Sequence, residues 1–250
     1  MNAALAAFAL APGLAVGSFL NVLAVRVPLR RSVIKPSSAC MSCGTELAWY
    51  DNLPLFSYAL LKGRCRTCGT GISPLYPAVE LATALLVAAC AWKFGLTGEA
   101  AIAGFFCAVL VTVTATDLTH RIVPNRIVVP AAAIVLVAHT ALEPRPEWAL
   151  GALGASFFLF AAALAYPAGM GMGDVKLALL MGAALGKSVS VGLFAGMIFA
   201  LVPSVFLLAR HGSSARKMGI PFAPFLALGS VVALFAGGGL LHAYWAFFTH

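Results

Sequence analysis

Apolar residues gather along this chain in long unbroken runs, and polar positions fall between the runs instead of alternating inside them. Most of the runs approach the roughly 20 residues that carry an α-helix across a bilayer core. The pattern predicts helices at 3–25, 75–92, 98–116, 127–142, 148–168, 174–186, 189–209 and 222–246. The expected fold class is therefore an all-α polytopic membrane protein with about eight transmembrane helices. The run at 174–186 is too short to cross comfortably and is expected to lean on its neighbours. Only one long stretch lacks such a run. It divides the chain into a first transmembrane helix at 1–25, a small loop at 26–74 and a transmembrane bundle at 75–250.

Composition supports this reading. Of 250 residues, 62% are hydrophobic and 10% charged, the balance of a polytopic membrane protein. The formal net charge of +8 takes its meaning from where the charges fall. With the N-terminus outside, the inner loops hold Arg26, Arg30, Arg31, Lys35, Lys62, Arg64, Arg66, Arg121, Arg126, Lys176, Arg210, Arg216 and Lys217, and the outer ones only Lys93, Arg145 and Lys187. A bias of that size sets the topology and puts the 26–74 loop in the cytoplasm. The basic residues thus serve orientation, so membrane lipid is an expected partner and nucleic acid is not. No basic residue precedes the apolar stretch of Met1–Val25, so that segment is expected to remain as a helix instead of being removed as a signal peptide.

Two carboxylates stand out. Asp174 follows Gly169-Met170-Gly171-Met172-Gly173 at the point where one apolar run gives way to the next. Asp117 ends the run Thr112-Val113-Thr114-Ala115-Thr116. Ionisable groups in such places are expensive and mark function by default. The predicted topology brings both to the cytoplasmic face at one depth, so the two are expected to form a catalytic dyad. In such a pair the ionised member takes a proton from water and the protonated one donates to the substrate carbonyl. Glycines at every second position, with Gly171 and Gly173 nearest the carboxylate, predict an extended segment that binds substrate through its backbone. No Ser-His-Asp, Cys-His or His-Glu-x-x-His arrangement competes. From these residues alone an ion- or proton-coupled transporter stays open as the alternative, although both aspartates lie near one face and no inverted repeat is visible. Asn21 and Glu80 are expected either to contact substrate or to bond helix to helix, and His139 to do the latter.

The loop carries its own chemistry. Cys40-Met41-Ser42-Cys43 is followed after 21 residues by Cys65-Arg66-Thr67-Cys68. Two such pairs, each before a glycine, have the spacing of a four-cysteine zinc site in a zinc-ribbon-like loop. A reducing cytoplasm disfavours disulfides, which leaves zinc or unmetallated thiols; zinc is expected, because so short a loop lacks a core and needs a staple to fold. Cys90 and Cys107, alone in apolar runs, are expected to be small buried hydrophobes.

Taken in order, these residues resemble the type IV prepilin peptidases, membrane aspartyl proteases with a Gly-x-Gly-Asp motif. The resemblance runs over nearly the whole chain. It includes Gly17-Ser18-Phe19-Leu20-Asn21-Val22 with Arg26-Val27-Pro28, and the cysteine pairs flanking Trp49-Tyr50-Asp51-Asn52-Leu53-Pro54. It continues through Ile72-Ser73-Pro74-Leu75-Tyr76-Pro77 with Val79-Glu80-Leu81, Asp117 with Arg121-Ile122-Val123-Pro124-Asn125, and Gly171-Met172-Gly173-Asp174-Val175-Lys176. The resemblance implies a multi-pass enzyme of the cell inner membrane whose active site faces the cytoplasm. It implies cleavage of the basic leader from prepilins or pseudopilins by Asp117 and Asp174. It also implies N-methylation of the new N-terminal residue from S-adenosylmethionine, attributed to the cysteine-bearing loop. No glycine-rich methyl-donor fingerprint is present, so that second activity comes from the resemblance alone.

Overall fold

The computed structural model describes residues 2–35, 37–166, 170–212 and 220–248. Among them the architecture is all-helical, with two isolated β-bridges. The helices are α1 (Asn2–Arg26), the short α2 (Phe56–Leu60), α3 (Leu75–Phe94), α4 (Gly98–His120) and α5 (Asn125–Leu142). They continue with α6 (Glu147–Ala165), α7 (Met172–Leu185), α8 (Val189–His211) and α9 (Ala223–Phe248). Every apolar run has become a helix, so the protein is a multi-pass membrane protein. Seven stretches are long and apolar enough to cross a bilayer. One of them, Met172–Arg210, holds both α7 and α8, because the backbone turns at Gly186, φ +54°. The 14 residues of α7 reach only about 21 Å at 1.5 Å per residue, short of a hydrocarbon core of about 30 Å. Its side chains are accordingly met by protein: Leu177, Ala178, Leu180 and Met181 are fully buried.

The chain divides into two compact units, Met1–Thr116 and Asp117–His250. In the first, α1 lies against α3 because Gly13 and Gly17, one helical turn apart, remove the side chains that would hold the backbones apart. A Cβ at Gly13 would stand 2.7 Å from Ala84 Cα, and one at Gly17 the same distance from Glu80 Cα. Small residues that permit such approach take the place of a hydrophobic driving force inside a membrane. Leu20, Ala24, Val79, Ala108, Val111 and Ala115 close the core of α1, α3 and α4. In the second unit α6 and α5 flank α7, and α8 pairs with α9.

Two expectations change. α4 continues through Asp117 to His120, so that aspartate is helical and does not sit beyond a helix end. The extended glycine segment is also corrected. Gly171 is extended (φ −83°, ψ 148°), but Met172 already opens α7, and Gly173 is helical; Gly169 lies outside the described residues. The helix wins at Gly173 because that position answers a packing demand. A Cβ there would stand 2.7 Å from Val123 Cβ.

Candidate active site and metal centre

The second unit assembles its carboxylates from helix ends. Asp117, in the last turn of α4, is 7% exposed. The backbone N–H of Ala223, the first residue of α9, donates to its Oδ2 at 3.2 Å. That N–H has no partner one turn earlier in its own helix, and the next residue, Pro224, has none to offer. A helix N-terminus is thereby aimed at a carboxylate, the favourable sign of the helix dipole. After Asp117 the chain turns sharply. Arg121 adopts φ 53° and donates its N–H to the Asp117 carbonyl at 2.9 Å, and Pro124 then starts α5.

Asp174 enters from α7. Its backbone N–H bonds the Gly171 carbonyl at 3.1 Å, which fixes the carboxylate in the helix's first turn. That turn is docked on the 121–125 segment twice, through the bare Gly173 backbone against Val123 and through Lys176 Nζ donating to Asn125 Oδ1 at 3.0 Å. Gly171 lies beside the acid: a Cβ there would be 3.9 Å from Asp174 Oδ2. Asp174 is thereby docked against the same turn that leaves Asp117. Two carboxylates held against one turn in this way can share one proton and activate a water.

The first unit brings the four thiols together. The sulfurs of Cys40, Cys43, Cys65 and Cys68 all lie within 4.8 Å of one another, and Cys40 Sγ is 3.8 Å from Cys68 Sγ. Tetrahedral ligands 2.3 Å from a common ion stand about 3.8 Å apart, so the donor set and spacing fit a four-thiolate metal site. Each pair sits on a tight turn. Gly44 (φ 73°) and Gly69 (φ 71°) supply the left-handed residue and donate to the Cys40 and Cys65 carbonyls, both at 2.9 Å. Hydrogen bonding to Thr45 draws the Cys43 thiol below its ordinary value, and bonding to Thr70 does so for Cys68. The Cys68 backbone N–H lowers Cys65 likewise. Three of the four thiols are thereby eased toward the thiolate that metals require. Arg66, between the ligands of the second pair, grips Asp51 from Nε at 3.0 Å and from Nη2 at 2.7 Å. The fork ties the Trp49–Asn52 turn to the cysteine cluster.

The remaining polar residues take structural partners. Asn21 Nδ2 donates to the Tyr76 carbonyl at 3.1 Å. Glu80 Oε2 receives the N–H of Leu55 at 2.9 Å, with Ser18 and Asn21 as further side-chain partners. Together they latch α1, α3 and the loop. His139 stacks on Trp148, ring centroids 4.1 Å apart, and so joins α5 to α6. Cys90 and Cys107 are buried, with sulfurs 3.9 Å apart. Two contributors escaped the sequence: the Ala223 N–H, a backbone donor 106 residues from its acceptor, and Val123, whose role depends on where α7 lands.

Comparison with known proteins follows the same residues. Positions 12–94 match the Bacterial Peptidase A24 N-terminal domain, and 104–210 match the Type IV leader peptidase family. A Bacillus subtilis (strain 168) protein named prepilin leader peptidase/N-methyltransferase is 36% identical over 93% of this chain and 94% of its own. Proteins of the same name from Pseudomonas aeruginosa, 33% identical over 94% of this chain and 91% of the relative, and from Myxococcus xanthus, 40% identical over 84% and 66%, are also similar. No solved structure matches.

Proposed function

This chain belongs to the type IV leader peptidase family, and from that premise we propose that Asp117 and Asp174 cleave the basic leader from prepilins or pseudopilins. The observation that carries the reading is the docking of the first turn of α7, which holds Asp174, on the turn that leaves Asp117. With one proton shared between them, the ionised carboxylate takes a proton from water as its oxygen attacks the scissile carbonyl. The protonated partner donates to the carbonyl oxygen; then the proton gained from water passes to the leaving amine as the C–N bond breaks, and a hydroxyl of the tetrahedral intermediate returns its proton to that partner. Gly171, extended and without a side chain, is the backbone best suited to run beside the substrate. Gly173 serves by letting α7 approach Val123. Asn21 and Glu80 act by holding the loop on α1 and α3, with any contact to substrate made through that loop.

The same enzyme then methylates the new N-terminal residue, the second activity in the relatives' name. S-adenosylmethionine supplies the methyl group, which the free N-terminal amine accepts. Cys40, Cys43, Cys65 and Cys68 would hold a zinc ion whose part is structural, closing a loop too small to have a core. The protein would lie in the cell inner membrane with loop and carboxylates on the cytoplasmic side, the orientation that its basic residues favour. Incubating the purified protein with a prepilin and S-adenosylmethionine tests the reading. Mass measurement should find the leader removed and one methyl group on the mature N-terminus; a substrate of unchanged mass would contradict it.

A further inference from the structure

The cysteine cluster is built from a repeated hexapeptide, Cys40-Met41-Ser42-Cys43-Gly44-Thr45 and Cys65-Arg66-Thr67-Cys68-Gly69-Thr70. The repeat extends past the ligands to a threonine, and the two threonines do the same thing. The Thr45 carbonyl accepts the Cys40 N–H at 2.9 Å, and the Thr70 carbonyl accepts the Cys65 N–H at 2.8 Å. Cys43 Sγ–H donates to Thr45 Oγ1 at 3.3 Å, and Cys68 Sγ–H donates to Thr70 Oγ1 at 3.3 Å. Each threonine therefore grips both cysteines of its own pair, the first through backbone and the second through its hydroxyl. Turn geometry accounts for the carbonyl bond, which any residue would make. It does not account for a hydroxyl on the sulfur in both halves.

We propose that Thr45 and Thr70 are positioning residues for the metal, each donating its hydroxyl hydrogen to a bound thiolate. This rests on the loop holding zinc. When a thiol becomes a ligand it releases its proton to solvent and can no longer donate. The hydroxyl is free to rotate, and its own hydrogen then points at the sulfur, so the contact survives with donor and acceptor exchanged. A hydrogen bond to a ligand sulfur fixes its direction and stabilises its charge. Losing such a partner typically costs about 10–100-fold in metal affinity. Thr45 and Thr70 act on Cys43 and Cys68, one ligand from each pair, so the two contributions should be similar in size.

The test uses the full-length protein in detergent, with zinc affinity from chelator competition and cobalt substitution to watch the thiolate–metal charge-transfer band. Valine keeps the threonine's shape without its hydroxyl; serine keeps the hydroxyl without the methyl. Thr45→Val and Thr70→Val should each still bind about one metal per chain, from the four-ligand preference, while losing about tenfold or more in affinity and shifting the cobalt band. Thr45→Ser and Thr70→Ser should restore both readouts. Unchanged affinity and spectrum in the valine variants would overturn the proposal, as would serine variants as impaired as valine. An unsubstituted protein that takes up neither zinc nor cobalt would overturn the zinc reading itself, and this inference with it.

Discussion

Gly173→Ala is the smallest change that should disturb catalysis without touching a reacting atom. The added Cβ would stand 2.7 Å from Val123 Cβ and 3.2 Å from its Cγ2. Carbon atoms pack at about 3.5–4.0 Å, so the first turn of α7 and the 121–124 turn must part by about 1 Å. Overpacking of this kind costs about 1–3 kcal/mol, which a packed helical bundle can survive. The catalytic cost should be larger in proportion. Asp174 is the next residue and Asp117 sits at the root of the turn that moves, so the gap opens between the two proposed catalytic carboxylates. Misplacement by about 1 Å can cost about 100-fold in rate. The assay is prepilin cleavage by purified, monodisperse enzyme, with kcat and KM measured separately; kcat should fall about 10–100-fold. Val123→Gly removes both of the nearest atoms, so the double variant should recover much of the loss. A Gly173→Ala enzyme that cleaves at the unsubstituted rate would refute the reasoning, as would a double variant no faster than the single one.

Three further outcomes are expected. Metal analysis of protein purified without chelator should find about one zinc per chain; four freely alkylated thiols and no metal would count against the site. Replacing Cys40 and Cys43 by serine should unfold the loop locally while the helices persist, so methylation of a pre-cleaved pilin should be lost more completely than cleavage. Normal methylation with poor cleavage would make the loop a docking element instead. Gly17→Ala should push α1 from α3 against the Glu80 backbone, lowering thermal stability in detergent by about 1–3 kcal/mol; an unchanged melting temperature would remove Gly17 from the packing account.

Helix positions were legible because bilayer thickness writes itself into the sequence as run length, a one-dimensional signal. The cysteine site was legible for a related reason: metal geometry imposes a local spacing on each pair. What escaped was set in three dimensions. The glycines of 169–173 looked like a strand because their spacing is two, yet Gly173 answers to Val123 across a turn. Sequence leaves Asn21 and Glu80 between two roles because their partners, the Tyr76 carbonyl and the Leu55 N–H, are backbone groups. The Ala223 N–H that bonds Asp117 has no residue-type signature, since any amino acid but proline offers that donor. The sequence shows Asp117 and Asp174 only as two acids at one depth, which is also what a transporter would show. Membership in the family favours the protease.

The central claim is that both aspartates perform the cleavage. Asp117→Asn and Asp174→Asn keep size and most hydrogen bonding while removing the shared proton chemistry. Each purified variant should be offered a prepilin and, separately, a pre-cleaved pilin with S-adenosylmethionine, and the products weighed by mass spectrometry. The account predicts that neither variant removes the leader and that both still methylate the pre-cleaved pilin. Leader removal at the unsubstituted rate by either folded variant would contradict it.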